Sequence, residues 1–394
     1  MNYTLDDESY ARAALTYLAE PADHVLGRLL RLHGAARTLE AIKADGFIVG
    51  GPTAGDPDED RHARSSVRRA MQRWRVRLPE VPSPDDVIAF RGAGIRLVCP
   101  GDPEWPSQLA DLGDAQPYAL WLRGRVDLRF SCLRSVAIVG SRAATAYGCY
   151  VAADLAASVA ARGWAVVSGG AYGIDSAAHR GALGATDGVT VAVLACGVDV
   201  PYPTAHAELL DAIAAQGVIV SEWPPGRQVS RLRFLVRNRV IAALATGTLV
   251  VEAAERSGAV NTARNARDLN RLLMAVPGQI TSENSVGCHR IIREWQATLV
   301  TTHDEVIEHL SPLGAPRVVE PSDTRPATAA VGRDALDLES ATVLDAVPRR
   351  TGMGTTRIAQ RAGLSPAATV RCLGELTAAG FTERCPEGWR LRRT

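Results

Sequence analysis

Two arginines flank an asparagine at residues 237–239, inside a segment, RFLVRNRVIAAL, that is otherwise largely apolar. An arginine side chain carries a planar fork of N–H donors that matches phosphate oxygens, and an asparagine adds a shorter polar contact. The sequence therefore predicts an anion-binding site formed by Arg237, Asn238 and Arg239. The competing explanations are a helix start whose charges face water and a folding role, for example ion pairs with Glu222 or Glu252.

Glycines and small hydroxyl residues follow two apolar runs of the sequence, VAIVG and WAVVS. Backbone N–H groups at such turns can face an anion, and the dipole of the following helix favours negative charge. A tight turn is the simpler explanation for any one of these glycines, but several at one sheet edge favour a phosphate site. The residues concerned are Gly140, Ser141, Arg142, Ser168, Gly169 and Gly170.

The spacing of these glycines argues against two common nucleotide sites. The dinucleotide fingerprint needs GxGxxG after the first strand, whereas GSRAATAYG contains only Gly140 and Gly148. The Walker phosphate loop needs a lysine, and the one lysine of the chain, Lys43, lies far from these runs. The seven cysteines are scattered without CxxC pairs, which is typical of reduced thiols rather than of zinc ligands or disulfides. We therefore expect no cofactor and no metal.

Acid–base chemistry is the less favoured interpretation of the polar residues nearby. Asp175 and His179 are four residues apart and so share one helix face, while Glu252 ends another apolar run. A carboxylate at a helix start and a helix-surface pair explain the first two without catalysis. Ser257 and Gly258 predict a loop that closes the pocket, because no nucleophile elbow accompanies the serine. We expect no catalytic residue.

Six short apolar runs alternate with helical segments from residue 136 onward. They are predicted as buried parallel strands at 136–140, 164–168, 190–195, 217–221, 248–252 and 272–276. Ligands of such sheets bind beyond the carboxyl ends of the strands, where the glycine and serine residues named above fall. The sequence therefore predicts an α/β protein with a doubly wound parallel sheet.

The beginning of the chain favours a separate helical unit. Leucines at helical spacing predict an N-terminal helical module over 1–85, SAM-like or helix-hairpin-helix-like, ahead of a sheet domain over 95–310. The stretch 61–77 within the module has seven arginines and no acid. It can touch nucleic acid, but a solvated helix face is the favoured interpretation.

The end of the chain predicts a linker and a third unit. Residues 311–334 are rich in proline and alanine, which is typical of a linker. Residues 335–394 favour a winged-helix domain of three helices and two short strands, with Ser365 capping the third helix. The sequence supports three roles for this domain equally well: contact with a protein, weak nonspecific DNA binding, and recognition of a DNA sequence.

The overall composition limits what the chain can bind. With 394 residues, 46% of them hydrophobic, and a formal charge of +1, it can bury several cores but cannot attract polyanions over its whole surface. Any nucleic-acid site must therefore be local. No charged-then-apolar leader opens the chain and no apolar run approaches membrane length, so we expect a soluble, cytoplasmic protein without membrane contact.

Eight ordered motifs closely resemble those of the DNA-processing protein A family, DprA or Smf. They are VAIVGSRAATAYG, VVSGGAYGIDSAAHRGAL, VAVLACGVDVPYPTAHAEL, SEWPPG, RNRVIAAL, VVEAAERSGAVNTARNA, AVPGQI and GCHRIIRE. The resemblance spans about residues 95–310. It implies a cytoplasmic bacterial protein that binds single-stranded DNA through an extended Rossmann-like domain with a doubly wound parallel sheet. It also implies that the protein forms a homodimer, protects incoming DNA and loads the RecA recombinase in natural transformation or related recombination.

Carried over residue by residue, the resemblance places DNA phosphates near residues 140–142, 168–170 and 237–239. The chain departs from the family at Tyr172, where an arginine is common, and at RFLVRNR, where the family has a run similar to HFPxRNR. Tyr172 can stack on a base or simply pack against the protein, and the sequence favours neither.

Three classes of function compete. The favoured one is a nonenzymatic single-strand DNA mediator. A nucleotide-processing enzyme of the phosphoribohydrolase kind needs a PGGxGTxxE-like site, which ATGTLVVEAAERSG matches only in part. A winged-helix transcription regulator needs base-reading side chains on its third helix, whereas Ala367, Ala368 and Thr369 precede Arg371 there.

Overall fold

The computed structural model describes most of the chain. The described residues are 5–44, 46, 57–311, 336–348, 351–378, 381–385 and 387–392, and for 57–63 and 378 the description covers the backbone. Apart from its first residue, the predicted linker lies outside them. The chain forms two compact units, residues 1–313 and 314–394.

Four helices open the first unit. They are α1 (Asp7–Leu18), α2 (His24–His33), α3 (Ala35–Lys43) and α4 (Pro57–Arg75). The carboxylates of Asp6 and Asp23 start α1 and α2, because each accepts from backbone amides of the first turn. Leucines at helical spacing share one core with Trp74 of α4. These helices belong to the same compact unit as the sheet, so the predicted boundary near residue 85 stays a prediction.

The basic stretch 61–77 lies mostly on α4. Its apolar residues Val67, Met71 and Trp74 are buried in the helical core, whereas the arginines at 64, 68, 69 and 73 are exposed. This arrangement agrees with a solvated helix face.

A sheet of nine strands forms the centre of the first unit. The strands are β1 (Ile95–Val98), β2 (Leu120–Gly124), β3 (Ser135–Val139), β4 (Ala165–Ser168), β5 (Thr190–Leu194), β6 (Val218–Ser221), β7 (Gly247–Val250), β8 (Leu272–Ala275) and β9 (Thr298–Leu299). Their spatial order is β1-β2-β6-β5-β4-β3-β7-β8-β9. The six predicted strands are present as β3 to β8 and pair in parallel, which confirms the predicted fold class.

Two strands at one end of the sheet were not predicted. β1 reads IRLV and β2 reads LWLRG, so an arginine interrupts the apolar run that marks a buried parallel strand. β1 pairs antiparallel with β2, and β2 pairs antiparallel with β6. The sheet is therefore mixed, with an antiparallel pair added to the parallel strands.

Helices cover both faces of the sheet. They are α5 (Pro84–Ala89), α6 (Leu128–Leu133), α7 (Ala146–Ala160), α8 (Ile174–Gly184), α9 (Ala207–Gln216), α10 (Arg231–Leu244), α11 (Gly258–Asp268), α12 (Glu283–Trp295) and α13 (His303–Leu310). Alternate residues of β3 point to opposite cores: Val136 and Ile138 pack with α7 and α8, while Ala137 and Val139 pack with α10 and α11. The sheet is thus doubly wound, as predicted.

The second unit has the predicted winged-helix pattern. It contains α14 (Leu338–Ala346), α15 (Thr355–Ala362), α16 (Pro366–Ala378), β10 (Thr382–Cys385) and β11 (Gly388–Leu391). The Ser365 hydroxyl oxygen accepts from the Ala368 amide at 3.2 Å, which confirms the predicted cap of the third helix.

All seven cysteines lie among the described residues, and none of them forms a disulfide. Within the described ranges, no helix is long and apolar enough to cross a membrane. No cluster of three or more histidine, cysteine or carboxylate side chains suited to a metal occurs in that same part of the chain.

The close packing of α7 on α8 depends on Gly181. A Cβ at this position would overlap the Ala153 carbonyl oxygen on α7, whereas a Cβ at Gly184, on the same helix, would meet nothing within 4 Å. We expect Gly181→Ala to lower the free energy of unfolding by about 1–3 kcal/mol through overpacking. Urea unfolding followed by tryptophan fluorescence measures this loss.

Gly184→Ala is the matched control for Gly181→Ala. It should leave stability unchanged or raise it by up to about 1 kcal/mol, because alanine is the better helix former. Equal effects of the two substitutions would contradict the close contact between the helices.

Candidate nucleic-acid interface

The carboxyl ends of the parallel strands bring three of the predicted groups to one edge of the sheet. The loop after β3 meets the start of α8, where the Ile174 amide donates to the Ser141 carbonyl oxygen at 3.2 Å. The loop after β4 leads into that same helix start, and the loop after β7 leads into α11. The sheet therefore positions these loops as neighbours, which is what the strand pattern predicts.

Arg237 of α10 lies beneath the loop after β4, with 3% of the residue exposed. Its Nη1 donates to the carbonyl oxygens of Gly169, at 2.7 Å, and Val193, and its Nε donates to Asn238 Oδ1 at 3.2 Å. A Cβ at Gly169 would overlap the guanidinium, so this approach requires glycine. Burial lowers the pKa of Arg237 to about 10, which leaves the group charged at neutral pH.

The turn after β4, which contacts Arg237, carries backbone donors without partners among the described residues. Gly170 has φ +69°, a left-handed conformation that glycine adopts without strain. Within the described ranges, the amides of Gly169, Gly170 and Tyr172 reach no acceptor, and the two glycine residues are buried. Buried N–H groups without a partner are rare in folded proteins. We name these three amides the amide turn. Its position ahead of α8, which has no side-chain cap, suits it to an anion.

Arg142, in the loop after β3, adds an exposed cation beside the amide turn. Its guanidinium lies 4.4 Å from the centre of the Phe234 ring, a cation–π contact that holds it in place. Burial raises the pKa of Asp175, and the charges of Arg237 and Arg142 both oppose this rise. The two arginines are therefore close enough to the start of α8 to act on the same charge.

The two serines of the predicted anion loops have their hydroxyl groups engaged within the fold. Ser168 Oγ donates to the Ile138 carbonyl oxygen at 2.7 Å, and Ser141 Oγ lies 3.3 Å from Asn284 Oδ1. Both serines are buried. The backbone of these loops, more than the hydroxyl groups, is available to a ligand.

Ser257 and Gly258 form the start of α11, next to Asn238. The Ser257 hydroxyl oxygen accepts from the Val260 amide at 3.3 Å and caps the helix. Asn238 Nδ2 donates to the Gly258 carbonyl oxygen at 3.2 Å. Asn238 thus fastens α10 to the loop after β7, and all four groups of predicted residues lie in one cluster.

Arg239 forms a buried ion pair with Glu222, at the end of β6. Nη1 and Nη2 each lie 2.6 Å from a carboxylate oxygen, and the residues are 7% and 3% exposed. Nε donates to the Ala115 carbonyl oxygen at 3.1 Å. The Arg239 guanidinium, which the sequence suggests as a phosphate ligand, thus binds the Glu222 carboxylate instead. This contact corresponds to the competing explanation, a role in folding. This pairing argues against direct contact between Arg239 and a phosphate.

The arginines upstream of Arg237 are mostly neutralised. Arg227 lies 2.6 Å from Glu80, and Arg233 lies 2.7 Å from Glu20. Both acids come from the N-terminal part of the chain. Arg231 has no ion pair with any described residue. Residues 226–239 contain five arginines and no acid, but acids from other parts of the chain pair with three of these arginines. The basic character of the segment is therefore smaller than its composition suggests.

The geometry does not support acid–base chemistry by His179. Thr190 Oγ1 donates to the Val166 carbonyl oxygen at 2.8 Å, so His179 Nδ1, 2.7 Å away, must be the donor in their contact. Burial lowers the pKa of His179 to about 3, and the charge of Arg237 acts in the same direction. The imidazole is therefore neutral at neutral pH and poorly placed to take a proton.

Glu252 has a structural partner. Its carboxylate accepts from the Thr145 amide at 2.9 Å and from the Thr145 hydroxyl at 2.6 Å, at the start of α7. A carboxylate is stabilised at the positive end of a helix. Glu252 therefore anchors the loop after β3 rather than facing the amide turn as a base.

Sequence reasoning missed three aromatic residues of this edge. His206 Nδ1 lies 3.0 Å from the Gly170 carbonyl oxygen, Phe234 lies under Arg142, and Tyr202 lies 5.5 Å from Phe234. Tyr202 and His206 lie in the motif VAVLACGVDVPYPTAHAEL, and Phe234 lies in RFLVRNR. Both segments support the family resemblance, but their aromatic content, the available signal, was not used.

A doubly wound, largely parallel sheet, followed along the chain by a helix-turn-helix unit, defines a Rossmann-like protein with an appended domain. The family can be stated more narrowly. The chain belongs to the DNA recombination-mediator protein A family, whose model matches residues 96–311. The model of the IclR helix-turn-helix domain matches residues 340–386. The resemblance to DprA or Smf is thereby confirmed.

Relatives and a solved structure agree with this assignment. A DNA processing protein DprA of Mycobacterium tuberculosis is 40% identical, over 99% of this chain and 96% of its own length. DNA processing protein DprA of Bacillus subtilis is 30% identical, over 72% of this chain and 93% of its own. The X-ray structure of DNA processing protein A from Streptococcus pneumoniae matches with a TM-score of 0.60 and 28% identity, covering 79% of this chain and all of that one.

The Arg239–Glu222 pair generates a stability prediction. We expect Arg239→Ala to lower the free energy of unfolding by about 3–5 kcal/mol, because it leaves the buried Glu222 carboxylate without its partner. The double variant Arg239→Met, Glu222→Leu should recover most of this loss, since no buried charge remains. Urea unfolding of the three proteins measures both effects.

Arg293→Ala provides the control for this measurement. Arg293 pairs with Glu294 at 3.2 Å on the surface, where such pairs contribute about 0–1 kcal/mol. An Arg239→Ala variant as stable as Arg293→Ala would show that the buried pair does not hold α10 in place.

Proposed function

We propose that this chain binds single-stranded DNA at the carboxyl edge of its sheet and holds the strand by its phosphates. The observation that carries the proposal is the amide turn, whose amides reach no acceptor among the described residues and whose Gly169 carbonyl oxygen accepts from the charged guanidinium of Arg237. Backbone amides and arginines are frequent phosphate ligands in DNA complexes. Membership in the DNA recombination-mediator protein A family supports DNA as the source of the phosphate.

The charge distribution favours a single strand over a duplex. The formal charge is +1, and three of the arginines near the edge are taken up by Glu20, Glu80 and Glu222. This leaves a local site in place of the broad basic face that duplex binding needs. Aromatic side chains around the amide turn are typical of single-strand binders.

We propose further that the site is not catalytic. His179 is neutral and buried, Asp175 is buried with a raised pKa, and Glu252 is engaged by Thr145. A phosphoribohydrolase-like enzyme would need one of these groups as an accessible acid or base. The structure supports DNA retention at this edge better than DNA hydrolysis.

The winged-helix unit gives little support to a transcription regulator. On α16, Arg371 lies 2.6 Å from Glu339 and 3.2 Å from Glu375, so its charge is largely offset. The alanines that precede it carry no base-reading groups. We propose that this unit assists the sheet domain rather than recognising a DNA sequence.

The broader role follows from the family. We propose that the protein acts in the cytoplasm as a homodimer, protects single strands that enter the cell, and loads RecA on them during transformation or recombination. The phosphate site supports this role, because contacts to the DNA backbone leave most of the bases free for pairing.

Arg142 tests the phosphate site directly. We expect Arg142→Ala to weaken oligothymidylate binding about five- to thirtyfold, because one charge-assisted contact is lost. The slope of log affinity against log salt should become shallower by about 0.7, the contribution of one phosphate on a single strand. Fluorescence anisotropy over a salt series measures both quantities.

Arg162→Ala is the matched control for Arg142→Ala. Arg162 follows the end of α7, at the opposite edge of the sheet, and its substitution by alanine removes the same charge. It should bind as the parent does. Equal affinity and equal salt slope for Arg142→Ala and the parent would contradict the proposed phosphate site.

RecA loading is tested separately. On single strands coated with single-strand binding protein, the parent chain should shorten the lag of RecA filament growth, and Arg142→Ala should shorten it less at the same concentration. RecA-dependent ATP hydrolysis follows filament growth. A parent chain that binds the strand but leaves the lag unchanged would contradict RecA loading without contradicting DNA binding.

A further inference from the structure

Tyr172 is an exposed aromatic residue directly next to the amide turn. The residue is 49% exposed, although it lies between the buried Ala171 and the start of α8. Its own amide belongs to the amide turn and reaches no acceptor within the described ranges. One residue thus presents both a backbone donor and an aromatic ring to the same surface.

The ring of Tyr172 is held in place from one side. It packs against His206 with ring centroids 4.7 Å apart and an interplanar angle of 68°, an edge-to-face arrangement. His206 is buried, and its Nδ1 lies 3.0 Å from the Gly170 carbonyl oxygen. An edge-to-face neighbour covers at most one face of the ring. Tyr172 therefore keeps a free face in a position fixed by the turn itself.

A second aromatic group lies on the segment that supplies His206. Tyr202, 38% exposed, packs against Phe234 with ring centroids 5.5 Å apart. The guanidinium of Arg142 covers the Phe234 ring at 4.4 Å. Phe234 is thus a support for the cation, and Tyr172 and Tyr202 are more exposed than Phe234.

Exposure alone does not mark a ligand contact, because the Phe130 ring is 69% exposed as well. The amide of Phe130 donates to Asp127 Oδ1 at 2.9 Å, whereas the amide of Tyr172 reaches no acceptor among the described residues. Phosphate and base belong to one nucleotide, so a residue with an unpaired amide and a free ring can contact both parts of it. Stacking on a tyrosine also tolerates every base, because each base has a π face.

We propose that Tyr172 is a base-stacking residue of the DNA site and gives the protein a preference for strands that carry bases over bare sugar-phosphate. This inference rests on the proposed DNA binding and adds a second kind of contact to it. The phosphate is held by the amide turn and the arginines, while the base that follows lies on the free face of Tyr172.

Two oligonucleotides of equal length separate the base contact from the phosphate contact. One is an oligothymidylate and the other is an abasic deoxyribose-phosphate strand. We expect the parent chain to bind the oligothymidylate more tightly. Tyr172→Ala should lose at least about fivefold in affinity for the oligothymidylate, in line with one lost stacking contact, and should bind the abasic strand as the parent does. Fluorescence anisotropy measures all four affinities.

Two further variants serve as controls. Tyr172→Phe keeps the ring without the hydroxyl group and should match the parent on both strands. Phe130→Ala removes an aromatic ring that is 69% exposed just before β3, at the opposite edge of the sheet, and should also match the parent. Thermal melting of each variant shows that it is folded.

Each other outcome overturns a stated part of the inference. Equal losses on both strands would mean that Tyr172 supports the phosphate site and does not stack. No loss on either strand, or a loss in Tyr172→Phe as large as in Tyr172→Ala, would also overturn stacking. A folded parent chain that binds neither strand would contradict the proposed function itself, whereas one that binds both strands equally would contradict only the base contact.

Discussion

The buried guanidinium of Arg237 is the constraint on which the carboxyl edge of the sheet depends. It joins the carbonyl oxygens at the ends of two neighbouring parallel strands, and it leaves no room for a side chain at Gly169. In the turn that Arg237 contacts, the amides of Gly169, Gly170 and Tyr172 reach no acceptor among the described residues. The charge also helps to keep His179 neutral. The buried charge of Arg237 thus fixes the backbone at the ends of two strands and requires glycine at position 169. It also makes the electrostatic potential at the amide turn more favourable for anions.

The site was predictable in its location more than in its contacts. Apolar runs followed by glycines gave the loops at 140–142 and 168–170, because parallel strands all end at one edge. The partners of the arginines were not predictable, since Glu222 lies 17 residues from Arg239 and Glu20 lies 213 residues from Arg233. A pattern of spacing shows which groups can bind an anion. It does not show which of them the folded chain has already paired.

The fold was predictable where burial is uniform. β3 to β8 are buried on both faces and appear in the sequence as continuous apolar runs. β1 and β2 were not predicted because an arginine in each interrupts the apolar run. β9 was not predicted because it is only two residues long. The three helices and two short strands of the second unit were clear for a different reason, since cap residues and short turns define them locally.

The near absence of lysine has a consequence for regulation. Lys43 is the one lysine of the chain, and it lies on α3 near the ring of Tyr10. The cations at the carboxyl edge are arginines, whose charge is fixed over the whole physiological pH range. Lysine acetylation, a common way for cells to weaken binding to nucleic acids, has no target at this edge. Under the proposed function, competing anions, ionic strength or partner proteins would change the affinity for DNA, whereas lysine acetylation at the site would not.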